Sequence, residues 1–351
     1  MPLLANDLDH VAARLHGRRS RLGEGARLDA LGRLRTLGEL AHACWPDAEP
    51  PSTTQFQRHL VGDLLAELTE CLAHLGGAGA RLVDWLRVRF QVENLKVLLR
   101  GVATHTPLAG LHEFLLPLPR ELALDPAALR AAESWTAFGA RLPTGPLRRS
   151  LAKVAIAAGD NSPPFFLEAA LDRSYFQELI ARGSALAGED KEVIAPLLQQ
   201  EVDIFHLMLV GRGKFQHGLA PELLLPLQVA GTRISRARQA AMLAAPDLAA
   251  VAQLAMGSGL DALPAPRSGA NTTTVEPAAL EALAWNRLLR LANRAFRRSH
   301  LGLGTVVGYA FLRRVEVANL ITLSEGLRAG LTSEAIGGRM LPRAELEAAH
   351  V

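Results

Sequence analysis

One stretch of this chain occurs three times, and that recurrence limits its fold more than any other feature. The first copy is Gln91-Val92-Glu93-Asn94-Leu95-Lys96-Val97-Leu98-Leu99-Arg100-Gly101. The second is Asp203-Ile204-Phe205-His206-Leu207-Met208-Leu209-Val210-Gly211-Arg212-Gly213, and the third Glu316-Val317-Ala318-Asn319-Leu320-Ile321-Thr322-Leu323-Ser324-Glu325-Gly326. They stand 112 and 113 residues apart. An internal repeat of this kind implies one helical unit used three times.

Numbering each copy from its first residue as position 0, a polar pair stands at 0 and +3: Gln91/Asn94, Asp203/His206 and Glu316/Asn319. Positions +4 and +7 are apolar in all three copies, as Leu95/Leu98, Leu207/Val210 and Leu320/Leu323. On a helix these four positions span about 100° of arc, so two polar groups sit on the apolar face. Burying such groups without a hydrogen bond costs about 1–3 kcal/mol. Their return in the same phase therefore predicts a repeated partner, either backbone or an arginine on a neighbouring helix. Arg100 and Arg212 share position +9, and glycine stands at +10 in every copy. A glycine there reads as a helix C′ residue or a break.

Each repeated helix is preceded by another. Going back 35 residues from position 0 reaches Phe56, Glu168 and Glu281, near which lead helices over about 56–75, 165–187 and 277–299 are expected. The repeated helices themselves are expected over about 81–100, 190–212 and 305–329, the first after the Gly76–Gly79 break. The repeat is thus a helix pair, and the modules are expected as 1–105, 106–218 and 219–351. Residues 5–42 read as helix interrupted at Gly17, Gly23 and Gly25, and Pro46–Thr54 as a loop. Residues 101–125 read as irregular, and Asp125-Pro126 as an N-cap and first helical position of a helix ended by Pro143–Pro146. Ser162 reads as a cap for the second lead helix. Residues 213–223 read as a loop, 224–260 as helix broken at Pro246, Leu263–Val275 as an exposed loop, and 332–349 as a short helix interrupted near Gly337-Gly338. With aromatics at 5% and no strand alternation, the expected class is all-α.

Composition excludes several functions. The net charge of +3 is too small to imply nucleic acid, and no aromatic stacking residues accompany the arginines. Cys44 and Cys71 form no CxxC, so neither a zinc site nor a disulfide is expected. Met1–Leu22 lacks the apolar core of a signal peptide, and no transmembrane span is expected. Gly211-Arg212-Gly213-Lys214 resembles a phosphate loop only superficially, because Phe215 follows the lysine. Gly302–Gly308 has one residue too many for a dinucleotide fingerprint, and Ser258 lacks a nucleophile-elbow frame. The eleven histidines form no HExxH, and His206 falls on a core-facing side. No catalytic, cofactor or metal residues are therefore assigned. The clusters Arg294/Arg297/Arg298 and Arg313/Arg314 are either a solvated face or a docking surface for an acidic partner.

These stretches also resemble a known family. Arg89–Arg100 is similar to the signature helix of the C-type central-stalk component of archaeal and bacterial A/V-type ATP synthases, whose eukaryotic counterpart is the d-type component of the vacuolar proton pump. Leu171-Asp172-Arg173-Ser174-Tyr175-Phe176 with Gln200–Asp203 resembles the family's middle module. Tyr309–Leu320 with Gly330–Ile336 resembles its C-terminal module. The resemblance spans about Ala12–Leu341 and departs from the family pattern at Gln91, where an acid is expected, and at His206, where Asn is expected. It implies three similar helical modules arranged as a funnel with pseudo-threefold symmetry. It further implies a non-catalytic central-stalk subunit that passes torque between a proteolipid rotor ring and the central shaft, peripheral on the cytoplasmic face of a membrane. The alternatives are an α-helical metal-dependent enzyme, which would need clustered acids or histidines, and a diverged helical scaffold.

Overall fold

In the computed structural model, residues 6–47, 52–158, 163–256 and 277–342 are described. Among these the chain is helical, with no strand. Three short helices, α1 (Asn6–Arg19), α2 (Ala26–Leu31) and α3 (Leu37–Cys44), precede the first long pair, α4 (Thr53–Leu72) and α5 (Gly77–Ala103). Small helices α6 (Leu108–Leu111), α7 (Pro126–Arg130) and α8 (Trp135–Ala140), then α9 (Pro146–Ala158), lead to the second pair, α10 (Pro164–Ser184) and α11 (Gly188–Phe215). After α12 (Pro221–Leu224), α13 (Arg236–Ala244) and α14 (Leu248–Met256) comes the third pair, α15 (Pro277–Arg298) and α16 (Leu303–Arg328), and finally α17 (Ser333–Gly337).

The six long helices lie where the repeat places them. Each signature helix, α5, α11 or α16, packs against its own lead helix and against the next one. Thus α5 packs on α10 and α11 on α15, while α16 returns to pack on α4, which closes the cycle. The signature helices are buried on nearly every side, so the amphipathic stripe widens to a whole circumference. In α11 this makes a helix long and apolar enough to cross a membrane, but 78% of the qualifying window is buried in the protein. It is a core helix.

Local chemistry sets the helix starts. Ser52 opens α4 with a capping box closed by Gln55, and Thr36 does the same for α3 with Glu39. Asp125 caps α7 ahead of Pro126 as the sequence predicts. The helix that starts there is shorter than expected, because Ser134 caps a separate α8. The stretch read as one N-terminal helix is three, parted by Gly23, Gly25 (φ 51°) and Gly32, whereas Gly17 lies inside α1. The Gly76–Gly79 run does not lie outside the signature helix: Gly76 is its N-cap and α5 begins at Gly77. Residues 101–125 contain α6, residues 213–223 contain the end of α11 and the start of α12, and residues 224–260 hold α13 and α14 with irregular chain before them. Ser162, the loop Leu263–Val275 and the last part of the 332–349 helix lie outside the described residues.

The glycines at +10 are not helix ends. Gly101, Gly213 and Gly326 lie buried within α5, α11 and α16. Each leaves room for one apolar side chain from the segment that follows: Leu111, Leu224 and Ile336. A Cβ at Gly213 would come within 2.9 Å of Leu224 Cδ2, and one at Gly326 within 2.5 Å of Ile336 Cγ1. The turn itself comes four or five residues later, at His105, Gly218 and Gly330, all with positive φ. There the amides of Thr106 and Leu331 donate back to the carbonyls of Gly101 and Gly326, the long bond of a Schellman ending, while in α11 the Leu219 amide reaches the Gly213 carbonyl across one residue more.

Candidate functional site: polar slots, a charged centre and an arginine patch

After each of these turns the chain runs back along the signature helix, and the buried polar pairs receive it. Asn94 donates through Nδ2 to the Leu116 carbonyl (3.0 Å) and accepts the Leu116 amide at Oδ1 (2.7 Å). Asn319 does the same with Leu341, at 2.6 and 2.8 Å. His206 has one donor–acceptor choice to make, and its Nε2 accepts the Val229 amide at 2.9 Å. Accepting there, Nε2 carries no proton, so the ring is neutral with its hydrogen on Nδ1, which lies 4.0 Å from Asp203 Oδ1. At position 0, Gln91 donates to the Leu122 carbonyl (2.9 Å) and Asp203 accepts the Ile234 amide (3.1 Å). Both partners lie 31 residues further along. The repeated partner expected from the sequence is therefore backbone.

The third copy differs at position 0. Glu316 accepts the Gly23 amide from the N-terminal segment and takes Nη1 of Arg313 at 2.6 Å. The same segment brings α1 and α3 against α16. Nothing local in the sequence signals this contact, since 293 residues separate its ends.

Position +9 links one helix pair to the next. Arg100 holds Glu168 of α10 through two bonds of 2.6 Å, and Arg212 lies 3.2 Å from Glu281 of α15. At the third junction Glu325 accepts from Gln57 of α4 at 2.7 Å, so the polarity is reversed and no ion pair forms between those two.

Two residues before position 0 stand Arg89, Glu201 and Arg314. Glu201 is only 3% exposed, and its Oε1 lies 2.7 Å from Arg314 Nη1, off the hydrogen-bond direction. Glu201 also acts electrostatically on Arg89. Arg89 pairs with Glu93 (2.6 Å) and Asp172 (2.8 Å), and Lys96 joins Asp172 at 2.7 Å. Burial opposes the charge of Arg89, but Glu93 and Asp172 outweigh it and raise its pKa. Burial likewise opposes ionisation of Glu93, and Arg89 and Lys96 overcome it to hold the carboxyl below its ordinary value. Arg89, Glu93, Lys96 and Asp172 line a cleft of about 840 Å³ among α5, α10 and α11. The arrangement can hold charged surfaces in register, and its cations are already matched by acids.

The two arginine clusters separate. Arg294, Arg297 and Arg298 are exposed on α15, and among the described residues only Arg298 has acids within ion-pair distance, Glu189 at 3.9 Å and Glu192 at 3.6 Å. Arg313 and Arg314 do not form an exposed docking surface. Arg313 is buried between Glu316 and Glu67, and Arg314 reaches Glu201. Acids on α4 and α11, which a view of one helix cannot supply, draw them inward. Among the described residues no group of three or more His, Cys, Asp or Glu could hold a metal, and both cysteines are free.

A family model described as the ATP synthase (C/AC39) subunit matches residues 11–339. No curated protein matches the chain.

Proposed function

The chain belongs to the ATP synthase (C/AC39) subunit family, and from that membership we propose that it couples the proteolipid rotor ring of a V/A-type rotary ATPase to the central shaft. The complex's bond chemistry belongs to other subunits. This chain transmits torque as a rigid joint at the cytoplasmic face of the membrane, with the three modules 1–105, 106–218 and 219–351 set as a funnel about a pseudo-threefold axis.

The observation that supports a mechanical role is the cyclic packing, in which α16 returns to α4. A closed cycle of helix pairs has no free end at which twist can be dissipated, and close-packed interiors transmit strain. The arginines at +9 and the buried charges at −2 tie neighbouring pairs at two heights. Arg294, Arg297 and Arg298 supply an exposed basic patch for an acidic face of a partner subunit.

Affinity isolation of the tagged chain from gently solubilised membranes of its own source tests this reading. Recovery of a proteolipid ring and shaft subunits, falling as salt rises, is expected, because screening weakens exposed charge pairs. Recovery of neither, from membranes that hold an intact rotary ATPase, would favour a diverged scaffold.

A further inference from the structure

The junction between the second and third modules holds a second, smaller cleft of about 180 Å³ between α11 and α15. Three arginines line it: Arg233 from the returning chain, and Arg287 and Arg290 one turn apart on α15. None of the three lies within ion-pair distance of a carboxylate among the described residues. By contrast, Arg313 has Glu316 and Glu67, and Arg89, Lys96 and Arg100 have Glu93, Asp172 and Glu168, whereas Arg21 and Arg27 in one other cleft and Arg149 and Arg173 in another also have no ion pair among the described residues. One acid, Asp203, shares the cleft, with its Oδ1 already engaged by the Ile234 amide.

The charge here is unpaired, with Arg233 and Arg290 exposed to solvent. Arg287 is half-buried, and its pKa falls below the ordinary arginine value, first through burial and then through repulsion from Arg233 and Arg290, partly offset by Asp203. Like charges at helical spacing destabilise a helix. The corresponding lead-helix positions in the other modules carry no such charges: Ser174 and Gln177 on α10, Gly62 and Leu65 on α4. The arginines are therefore not part of the repeat's structural plan.

We propose that Arg233, Arg287 and Arg290 form a binding site for a phosphate-class dianion, free or as the terminal group of a larger molecule. Three guanidinium groups less one carboxylate leave a local charge of two, which a dianion balances. Guanidinium forks match the oxygens of a tetrahedral phosphate in pairs. The cleft is many times the ~10–15 Å³ that admits a single water, so a phosphate enters with part of its hydration. The apolar wall of Leu207, Ile234 and Leu283 lowers the local dielectric and strengthens the attraction. Because the site bridges α11 and α15, an occupant would tie the second module to the third.

Calorimetric titration of the full chain with sodium phosphate, at constant ionic strength in chloride buffer, tests the site. Saturable binding at one site is expected, with a raised thermal midpoint. Arg287→Gln and Arg233→Gln should each weaken binding tenfold or more, while Arg339→Gln, an exposed arginine elsewhere, leaves it unchanged. In phosphate-free buffer Arg287→Gln should melt no lower than the wild type, since it removes a repelled charge. A purely structural arginine would not behave so. Tighter binding of adenosine triphosphate than of inorganic phosphate would assign the occupant to a soluble compound. Flotation with phosphatidylcholine vesicles carrying phosphatidic acid, lost in Arg287→Gln, would assign it to a lipid headgroup. Absence of saturable phosphate binding, or equal binding by wild type and Arg287→Gln, would overturn the proposal.

Discussion

The first and third copies of the repeat solve one problem with different pieces of chain. In both, an asparagine at +3 grips the amide and carbonyl of one returning residue, Leu116 or Leu341. At position 0 they part. Gln91 meets the carbonyl of Leu122, from the returning chain that follows its own helix, whereas Glu316 meets the amide of Gly23, from the other end of the protein. A carbonyl needs a donor and an amide needs an acceptor, so the residue at position 0 follows from which backbone group arrives. The slot is a property of the signature helix. The segment that fills it is interchangeable, and that lets the N-terminal segment complete the last slot.

That difference has energetic consequences, and the largest is at Glu316. Replacing Glu316 with Leu strands Arg313, 8% exposed, with only Glu67 at 3.5 Å, and also orphans the Gly23 amide. A loss of about 3–5 kcal/mol is expected in denaturant unfolding, as for other broken buried ion pairs. Gln91→Leu removes one neutral hydrogen bond and should cost only about 1–3 kcal/mol. Equal losses at the two sites would erase the distinction.

Asn94→Leu and Asn319→Leu probe what the copies share. Each orphans an amide and a carbonyl of one returning residue, so about 1–3 kcal/mol is expected from either. The two sites share no partner, and the double variant should show additive losses. An unchanged thermal midpoint in Asn319→Leu would deny the slot any part in holding the returning chain.

Smaller effects belong to the contacts between successive helix pairs. Arg212→Met breaks one partly exposed pairing and should cost about 0–1 kcal/mol, and Arg100→Met also leaves Glu168, whose side chain is 12% exposed, without its cation. Arg100 should be the costlier, because it holds Glu168 with two bonds where Arg212 makes one longer contact.

The two thiols give no effect at neutral pH and report on burial at alkaline pH. Cys44, beside the third copy's cleft, and Cys71, in α4, are both pushed up to about 11 by burial from an ordinary 9.0. A raised thiol pKa means the folded state holds its proton longer than the unfolded chain. The stability it contributes is complete below pH 9.0 and lost as pH rises through about 11. Thermal midpoints should fall across that window, less steeply in a Cys44→Ala/Cys71→Ala variant, and both thiols should react slowly with a disulfide reagent at about pH 8, where little thiolate forms.

Much of this was legible from residue spacing. The six long helices and the polar pairs carry a period that any helix must satisfy, and each observed end lies within four residues of its expectation. The glycines at +10 misled because glycine suits both a helix end and a close approach, and only the position of Leu111, Leu224 or Ile336 distinguishes them. Arg313 and Arg314 misled because a charged cluster on one helix looks exposed until acids from two other helices arrive beside it. The Gly23–Glu316 contact had no local signal, since it depends on the cycle closing.

That closure can be measured directly by native-state hydrogen exchange, resolved at the amides of Gly23, Leu116, Val229, Ile234 and Leu341. A closed cycle predicts that Gly23 is protected alongside the other four, and that Glu316→Leu releases Gly23 while leaving Leu116 and Val229 protected. A Gly23 amide that exchanges at the rate of an open chain in the wild type would contradict it.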